Sequence, residues 1–235
     1  MKAVARFIWV WCLTILPITA VLTYIITLVV CSQIQNNAPP GVTFPAISLF
    51  GTGQAYTYFV IGFTILCPQI LLIALGRLQF LFQTQRIISR IFLCAVHFII
   101  LIACTFMLLM AILSLDDHFH LHNLATFGLF QSIFLYCILH TGTIIYLFKH
   151  RLEAPQHSNI IYPIWFVVWC LLVIIFYVLW VGTQSSIPQY FAAASPFLYF
   201  LGFVPQFWLR ARTIKRDSGP LGTNDTIDTN AETLL

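Results

Sequence analysis

Residues 114–122 read SLDDHFHLH and separate two long apolar runs, residues 91–113 and 124–148. Asp116 and Asp117 are the only acidic residues before Glu153, and three of the seven histidines follow them directly. This stretch therefore holds groups that can exchange protons at one end of two neighbouring apolar segments. What those segments are follows from the composition of the whole chain.

Hydrophobic residues make up 60% of the 235-residue chain and charged residues only 8%, and the mean hydropathy is +0.92. An ordinary soluble domain carries about 25% charged residues, so this inventory cannot cover a soluble surface. A helix needs ~20 mostly apolar residues to cross a ~30 Å hydrocarbon core. The sequence predicts an all-α, polytopic membrane protein with six transmembrane helices in one bundle, at residues 7–31, 55–76, 91–113, 124–148, 161–182 and 190–209.

The segments between the predicted spans differ in character. Residues 32–54 are uncharged and rich in Pro, Gly and Asn, which excludes a continuous helix and predicts an ordered, partly apolar loop against the membrane interface. Arg77, Arg86 and Arg90 are assigned to a basic loop after the second span, although the apolar residues 78–82 indicate that its helix overruns the bilayer. Residues 1–216 form the membrane domain, and the polar residues 217–235 predict a disordered cytosolic tail.

Positive charge is confined to alternate connections. Lys and Arg occur in the amino terminus, the second and fourth loops and the carboxyl terminus, and the other three loops contain none. The positive-inside rule therefore predicts that both termini are cytosolic. Residues 44–51 and 114–122 then share the lumenal or extracellular face, and the sequon at Asn224 is expected to carry no glycan. The formal charge of +4 reflects this topology and does not indicate a nucleic-acid partner.

The acidic and histidine side chains of residues 114–122 allow three interpretations of their function. Asp116 and Asp117 beside His118, His120 and His122 suit general acid–base chemistry or head-group binding near neutral pH. The same residue types can bind a metal, although no second ligand cluster accompanies them. The third interpretation is purely structural: a solvated loop in which an aspartate caps the fourth helix. His122 is the most informative, because it lies where the span begins.

Two further histidines lie within the spans. His97 and His140 occur in the half of their spans nearest the basic loops, and antiparallel helices place them at similar depth. Ionisable groups inside a membrane are costly and often functional, as in a proton relay, but a neutral histidine bonded to a nearby Thr or Gln is the plain alternative. No Walker, HExxH or GxSxG motif occurs, so the sequence predicts no cofactor and no metal.

Several short motifs resemble the Frag/DRAM/Sfk superfamily of six-span membrane proteins. They are Phe44-Pro45-x-Ile47-Ser48-x-x-Gly51, then Tyr58, Phe59, Gly62 and Pro68, then Ser114, Asp116, Asp117 and His122, and finally Phe207-Trp208. The acid pair followed by a histidine is most similar to the branch that contains post-GPI attachment to proteins factor 2. The resemblance implies a Golgi or endoplasmic reticulum protein that acts on the fatty chains of GPI anchors at the lumenal leaflet.

The resemblance also implies a site and its partners. Membrane lipids, and GPI-anchored precursors among them, are the expected partners. The expected catalytic residues are Asp116, Asp117 and His122, and the expected substrate-binding residues are Phe44, Pro45, Ser48, Gly51 and His120. Two alternatives stay open: a non-enzymatic modulator of autophagy in the lysosomal or plasma membrane, similar to the DRAM branch, and a transporter that uses His97 and His140.

Overall fold

The computed structural model describes residues 2–35 and 45–217, with side chains for residues 8–35 and 45–212. These residues form helices and turns and no strand. The helices are α1 (Lys2–Ile34), α2 (Tyr56–Thr84), α3 (Arg90–Ile112), α4 (Phe119–Lys149), α5 (Ile161–Thr183), α6 (Ser186–Leu201) and α7 (Val204–Asp217). Three 3₁₀ turns lie at Ile47–Gly51, Gly53–Ala55 and Pro155–His157. Six segments of the described chain are long and apolar enough to cross a membrane, which confirms the predicted fold class.

From α1 to α6 each helix packs against the next one in sequence, and α1 also packs against α6 and α7, which closes the bundle. The faces that point inward carry fully buried apolar side chains such as Phe59, Leu66 and Ile73. The outward faces carry exposed Ile, Leu, Val and Phe, for example Ile91 at 82% exposure and Leu124 at 65%. An apolar exterior around a packed interior is what a hydrocarbon solvent requires.

Two of the glycines permit close contacts between neighbouring helices. A Cβ on Gly62 of α2 would lie 2.2 Å from Thr27 Oγ1 on α1, and a Cβ on Gly128 of α4 would lie 2.7 Å from Phe106 on α3. Both distances are far below van der Waals contact, so with any larger residue either the helices must separate or the neighbouring side chain must move. The pairs α1–α2 and α3–α4 are therefore held together by backbone-to-side-chain packing at these positions.

The two ends of the helical bundle differ in the charge of the residues they carry. The acidic end carries Asp116, Asp117 and residues 45–55, and the Tyr56 hydroxyl there donates to the Ile112 carbonyl at 2.6 Å. The basic end carries the α2–α3 and α4–α5 connections and the end of α7. The predicted placement of residues 45–51 and 114–122 on one face is thus confirmed, whereas Phe44 and the sequon at Asn224 lie outside the described residues.

The structure corrects three predicted boundaries. α4 begins at Phe119 rather than at 124, so the histidines at 120 and 122 belong to its first turns. α2 continues past 76 to Thr84, so Arg77 is a helical residue and not part of a loop. The sixth span is broken after Leu201, because Pro205 has no N–H and its ring cannot follow a helical carbonyl at 201.

Candidate functional site

The acid pair lies on the surface of the acidic end. Asp116 and Asp117 are exposed in the turn between α3 and α4, and the Asp116 N–H donates to Ser114 Oγ at 3.2 Å. No aspartate caps α4: the residue at the cap is His118, and its side chain makes no capping hydrogen bond. The capping role expected from the sequence is therefore wrong. The two carboxylates are free to meet a head group or water.

His122 lies in the first turn of α4 and is fully buried. Its Nδ1 lies 2.7 Å from the Leu113 carbonyl oxygen, which can only accept, so Nδ1 carries the proton. Nε2 is then the basic nitrogen, and it has no hydrogen-bond partner among the described residues. His120 is exposed, because residues two apart on a helix point in nearly opposite directions. The structure therefore separates His122 from His120 and from both aspartates.

Residues 45–51 are fastened to the start of α6. The Tyr190 hydroxyl donates to the Pro45 carbonyl at 2.9 Å, and the Ile47 N–H donates to Gln189 Oε1 at 3.0 Å. Ser48 is half-buried and Gly51 is buried. Two long-range hydrogen bonds to one helix make this segment a fixed part of the bundle rather than a free loop.

An apolar cavity lies beneath this segment, inside the bundle. Its volume is about 50 Å³, and it lies between α1, α2, α3, α4 and α6. Ile47, Ser48 and Gln189 form part of its wall at the acidic end. Nearly all other wall residues are apolar: Phe63, Ile70, Met107, Met110, Leu129, Phe130, Ile133, Ala193, Pro196, Phe197 and Phe200. A cavity of this chemistry suits a hydrocarbon chain.

One face of α4 connects the cavity with polar groups on both sides of it. Thr126, Leu129 and Ile133 line the cavity at helical spacing. One turn before Thr126 lies His122, whose carbonyl accepts the Thr126 hydroxyl at 2.8 Å. Beyond Ile133 the same face continues to Tyr136, which is fully buried. The cavity is thus bounded by polar groups at each end of the α4 face.

A buried polar cluster lies toward the basic end, and sequence reasoning missed its centre. Arg77 of α2 is fully buried, and its Nε–H donates to His140 Nε2 at 3.0 Å. Its Nη1 donates to Gln206 Oε1 of α7. The guanidinium carbon lies 5.0 Å from the Phe203 ring centroid and 5.2 Å from that of Phe80. The sequence feature that could have placed Arg77 in a helix is the apolar stretch after it. That stretch extends α2 past the position where a loop was expected.

The hydrogen bonds of the cluster assign its protons. Because His140 Nε2 accepts from Arg77, His140 is neutral and its Nδ1–H donates to the Tyr199 oxygen at 2.7 Å. The Tyr199 hydroxyl donates in turn to the Cys137 carbonyl at 3.3 Å. Thr141 reaches Tyr199 at 3.0 Å and does not bond to the histidine itself. The direct threonine partner expected for His140 is therefore replaced by a tyrosine and an arginine.

His97 and His140 lie at the same depth, as the sequence predicted, with ring centroids 6.2 Å apart. His97 Nδ1 donates to the Leu93 carbonyl at 2.9 Å, a bond within its own helix. The Tyr136 ring lies 5.6 Å from that of His97 and 5.5 Å from that of His140. Four buried polar atoms here have no hydrogen-bond partner among the described residues: Arg77 Nη2, Gln206 Nε2, His97 Nε2 and the Tyr136 hydroxyl.

His157, in the last 3₁₀ turn, lies beside the end of α2. Its Nε2 is 3.0 Å from Thr84 Oγ1, and its ring lies edge-on to that of Phe80. Burial lowers the pKa of His157 to about 3, and the charge of Arg77 acts in the same direction. Across the described residues no group of three His, Cys, Asp or Glu side chains could hold a metal ion.

These features define a polytopic, all-helical membrane protein with an internal apolar cavity and polar groups at both ends of it. The model of the family described as the Frag1/DRAM/Sfk1/Cwh43P N-terminal domain matches residues 5–209, and the chain belongs to this family. The resemblance seen in the sequence is thereby confirmed at the level of the superfamily. No curated protein and no solved structure matches the chain.

Proposed function

We propose that this protein is a factor for the remodelling or maturation of GPI-anchor lipids, closest in role to the branch of post-GPI attachment to proteins factor 2. The observation that carries the proposal is the apolar cavity, which has Ser48 in its wall and lies one helical turn from His122. An acyl chain in this cavity would place its ester or hydroxyl group near the acidic end. That is where the proton-exchanging side chains lie.

The charge of the two ends orients the protein in this proposal. The exposed Arg86, Arg90 and Arg151 all lie at the basic end, and the positive-inside rule makes that end cytosolic. The acidic end then faces the lumen of the Golgi or the endoplasmic reticulum. GPI anchors reside in the lumenal leaflet, so the cavity and its substrate share a compartment.

His122 is the proposed acid–base group. Its proton is fixed on Nδ1 by the Leu113 carbonyl, so Nε2 can take the proton of an attacking lipid hydroxyl and return it to a leaving alcohol. That exchange of protons is what acyl transfer between esters requires. Asp116, Asp117 and His120 are exposed and are proposed to contact the hydroxyl and amine groups of the lipid head.

The segment that begins at Phe44 is proposed to hold the substrate. Pro45 and Ile47 are tied to α6, which fixes Ser48 against the cavity. Gly51 lies against the Phe59 ring, where an added Cβ would come within 3.2 Å. The segment therefore offers a rigid surface at the point where a lipid would pass from the leaflet into the bundle.

One observation favours a second, non-enzymatic function. The carboxylates are exposed while His122 is buried, so the three residues do not form a hydrogen-bonded catalytic unit. A lipid-binding modulator in the lysosomal or plasma membrane, similar to the autophagy branch, needs the cavity but not such a unit. Localisation of the protein and the lipid composition of GPI anchors separate the two functions.

The test is mass spectrometry of GPI-anchor lipids from cells that lack the protein and carry a variant in its place. Wild-type protein is expected to restore the acyl-chain composition, and His122→Ala is expected not to. His118→Ala is the matched control, because His118 is exposed four residues away. Unaltered GPI lipids with well-expressed His122→Ala would refute the site, and unaltered lipids on deletion would refute the function. Acyl transfer by the purified protein would separate a catalyst from an assisting factor.

A further inference from the structure

Arg77 is a buried cation with no anionic partner among the side chains that the structure describes. Of the acidic residues whose side chains the structure describes, Asp116 and Asp117 lie at the far end of the bundle and Glu153 is exposed in the α4–α5 connection. The hydrogen-bond partners of the Arg77 guanidinium are a histidine nitrogen and an amide oxygen, both uncharged. A charge taken out of water is costly unless it is paired, and more so within a membrane. A charged group inside a membrane therefore marks a candidate functional site, where a ligand can supply the counter-charge.

Several hydrogen-bond donors on and around Arg77 lack an acceptor among the described residues. Arg77 Nη2, Gln206 Nε2 and the Tyr136 hydroxyl each carry an N–H or O–H that bonds to no described residue. All three side chains are at least 97% buried, and Tyr136 stacks on the histidine that accepts from Arg77. Buried donors are normally satisfied, so three of them beside one cation indicate an oxygen-rich anionic partner. A carboxylate, which accepts from a guanidinium at two oxygens, matches this set.

The apolar cavity leads toward these donors. Ile70 lies two helical turns before Arg77 on the same face of α2, and Ile133 lies one turn before Tyr136 on α4. Phe200 lines the cavity and also contacts Tyr136, with ring centroids 6.1 Å apart. The apolar wall of the cavity is therefore contiguous with the side chains that surround Arg77.

We propose that the bundle binds a long-chain fatty acid, with its carboxylate on Arg77, Gln206 and Tyr136 and its chain in the apolar cavity. A single-chain acid needs one apolar slot and a few donors for its carboxylate, and the described residues supply the slot and three unpaired donors beyond its end. A bulkier phosphate head group would need more donors than these three side chains offer. The inference shares the cavity with the proposed lipid function but assigns a different ligand group to the opposite end.

The test measures binding of tritiated palmitate to the purified full-length protein in detergent micelles. Arg77→Met is expected to weaken palmitate binding roughly tenfold or more, because a charge-assisted pair is lost. Arg86→Met is the matched control: Arg86 is exposed at the same end and is expected to change nothing. Hexadecanol, which has the chain without the charge, is expected to bind weakly and equally to the wild type and to Arg77→Met.

Tyr136→Phe keeps the test decisive if Arg77→Met does not fold. The hydroxyl of Tyr136 is unpaired among the described residues, so its removal leaves the ligand-free protein as stable or more stable. Palmitate affinity is nevertheless expected to fall several-fold. A residue with a purely structural role would not lower affinity while preserving stability.

Three outcomes overturn the proposal. The first is palmitate affinity within twofold of wild type in both variants. The second is hexadecanol bound as tightly as palmitate by the wild type. The third is inorganic phosphate that displaces palmitate at equal concentration, which would assign the donors to a free oxyanion. Because the GPI-lipid assay depends on His122 and this one on Arg77, failure of either proposal is recognised separately.

Discussion

Replacement of Gly62 by alanine tests the contact that holds α1 against α2. The new Cβ would lie 2.2 Å from Thr27 Oγ1, 2.3 Å from its Cγ2 and 2.8 Å from its Cβ. Carbon atoms in contact prefer about 3.5–4.0 Å, so α1 and α2 must separate or Thr27 must rotate. Rotation breaks the 2.7 Å hydrogen bond from Thr27 Oγ1 to the Thr23 carbonyl. Both responses cost free energy.

The net cost follows from two opposing terms. Overpacking of a tight contact costs about 1–3 kcal/mol, and the better helix propensity of alanine returns up to about 1 kcal/mol. We expect Gly62→Ala to lower the free energy of unfolding by about 1–2 kcal/mol, which lowers the midpoint of thermal unfolding by roughly 2–8 °C for a chain of this size. Tryptophan fluorescence during heating in detergent micelles measures that midpoint.

A matched glycine and a second-site variant sharpen the measurement. A Cβ on Gly142 of α4 would meet nothing within 4 Å, so Gly142→Ala is expected to be neutral or stabilising. Thr27→Ala removes two of the three clashing atoms and is expected to offset part of the Gly62→Ala loss, as coupled neighbours do. Equal midpoints for wild type and Gly62→Ala, or an equal loss with Gly142→Ala, would refute the packing argument.

Two further predictions concern pH and the segment at residues 45–55. The folded-state pKa of His157 is about 3, below its unfolded value near 6.5, so the unfolded state takes up the proton first and stability falls as pH drops below about 6.5. At pH 5 the loss is about 2 kcal/mol, and thermal unfolding of His157→Gln is expected to show a flatter pH profile than wild type. Gln189→Ala leaves the Ile47 N–H unpaired, which costs about 1–3 kcal/mol and is expected to raise hydrogen exchange across residues 45–55. The exposed Gln156→Ala is its control, and unchanged exchange in Gln189→Ala would contradict the anchoring role.

The fold was predictable because the solvent constrains it so strongly. Hydrocarbon tolerates only helices of a given length in such a chain, so runs of ~20 apolar residues predict spans almost by counting. Confinement of Lys and Arg to alternate connections predicts which ends share a face. The errors fall at helix ends, as at Phe119 and Thr84, because aqueous loops and helices that protrude from the bilayer have similar composition.

The candidate site was predictable only in part, since residues that are adjacent in sequence need not point their side chains in the same direction. The sequence indicates one cluster that contains His120 and His122. Because both residues lie on a helix, their side chains point to opposite sides of it. Arg77 was assigned to a loop because most intramembrane arginines are excluded by cost, and the groups that surround it come from α4, α6 and α7. No local pattern in the sequence brings those three helices to one guanidinium.

The spacing along α4 links the two proposed ligands. His122 and His140 are 18 residues apart in one helix, which places them about 27 Å from each other, close to the thickness of the hydrocarbon core. A lipid whose ester lies at His122 and a fatty acid whose carboxylate lies at Arg77 therefore enter from opposite leaflets. Both chains must lie against Leu129 and Ile133 in the middle of the cavity. The cavity has a volume of only about 50 Å³, which is too small for two chains side by side. The two proposed ligands would therefore exclude each other, and a fatty acid held at the basic end would compete with the lipid admitted at the acidic end.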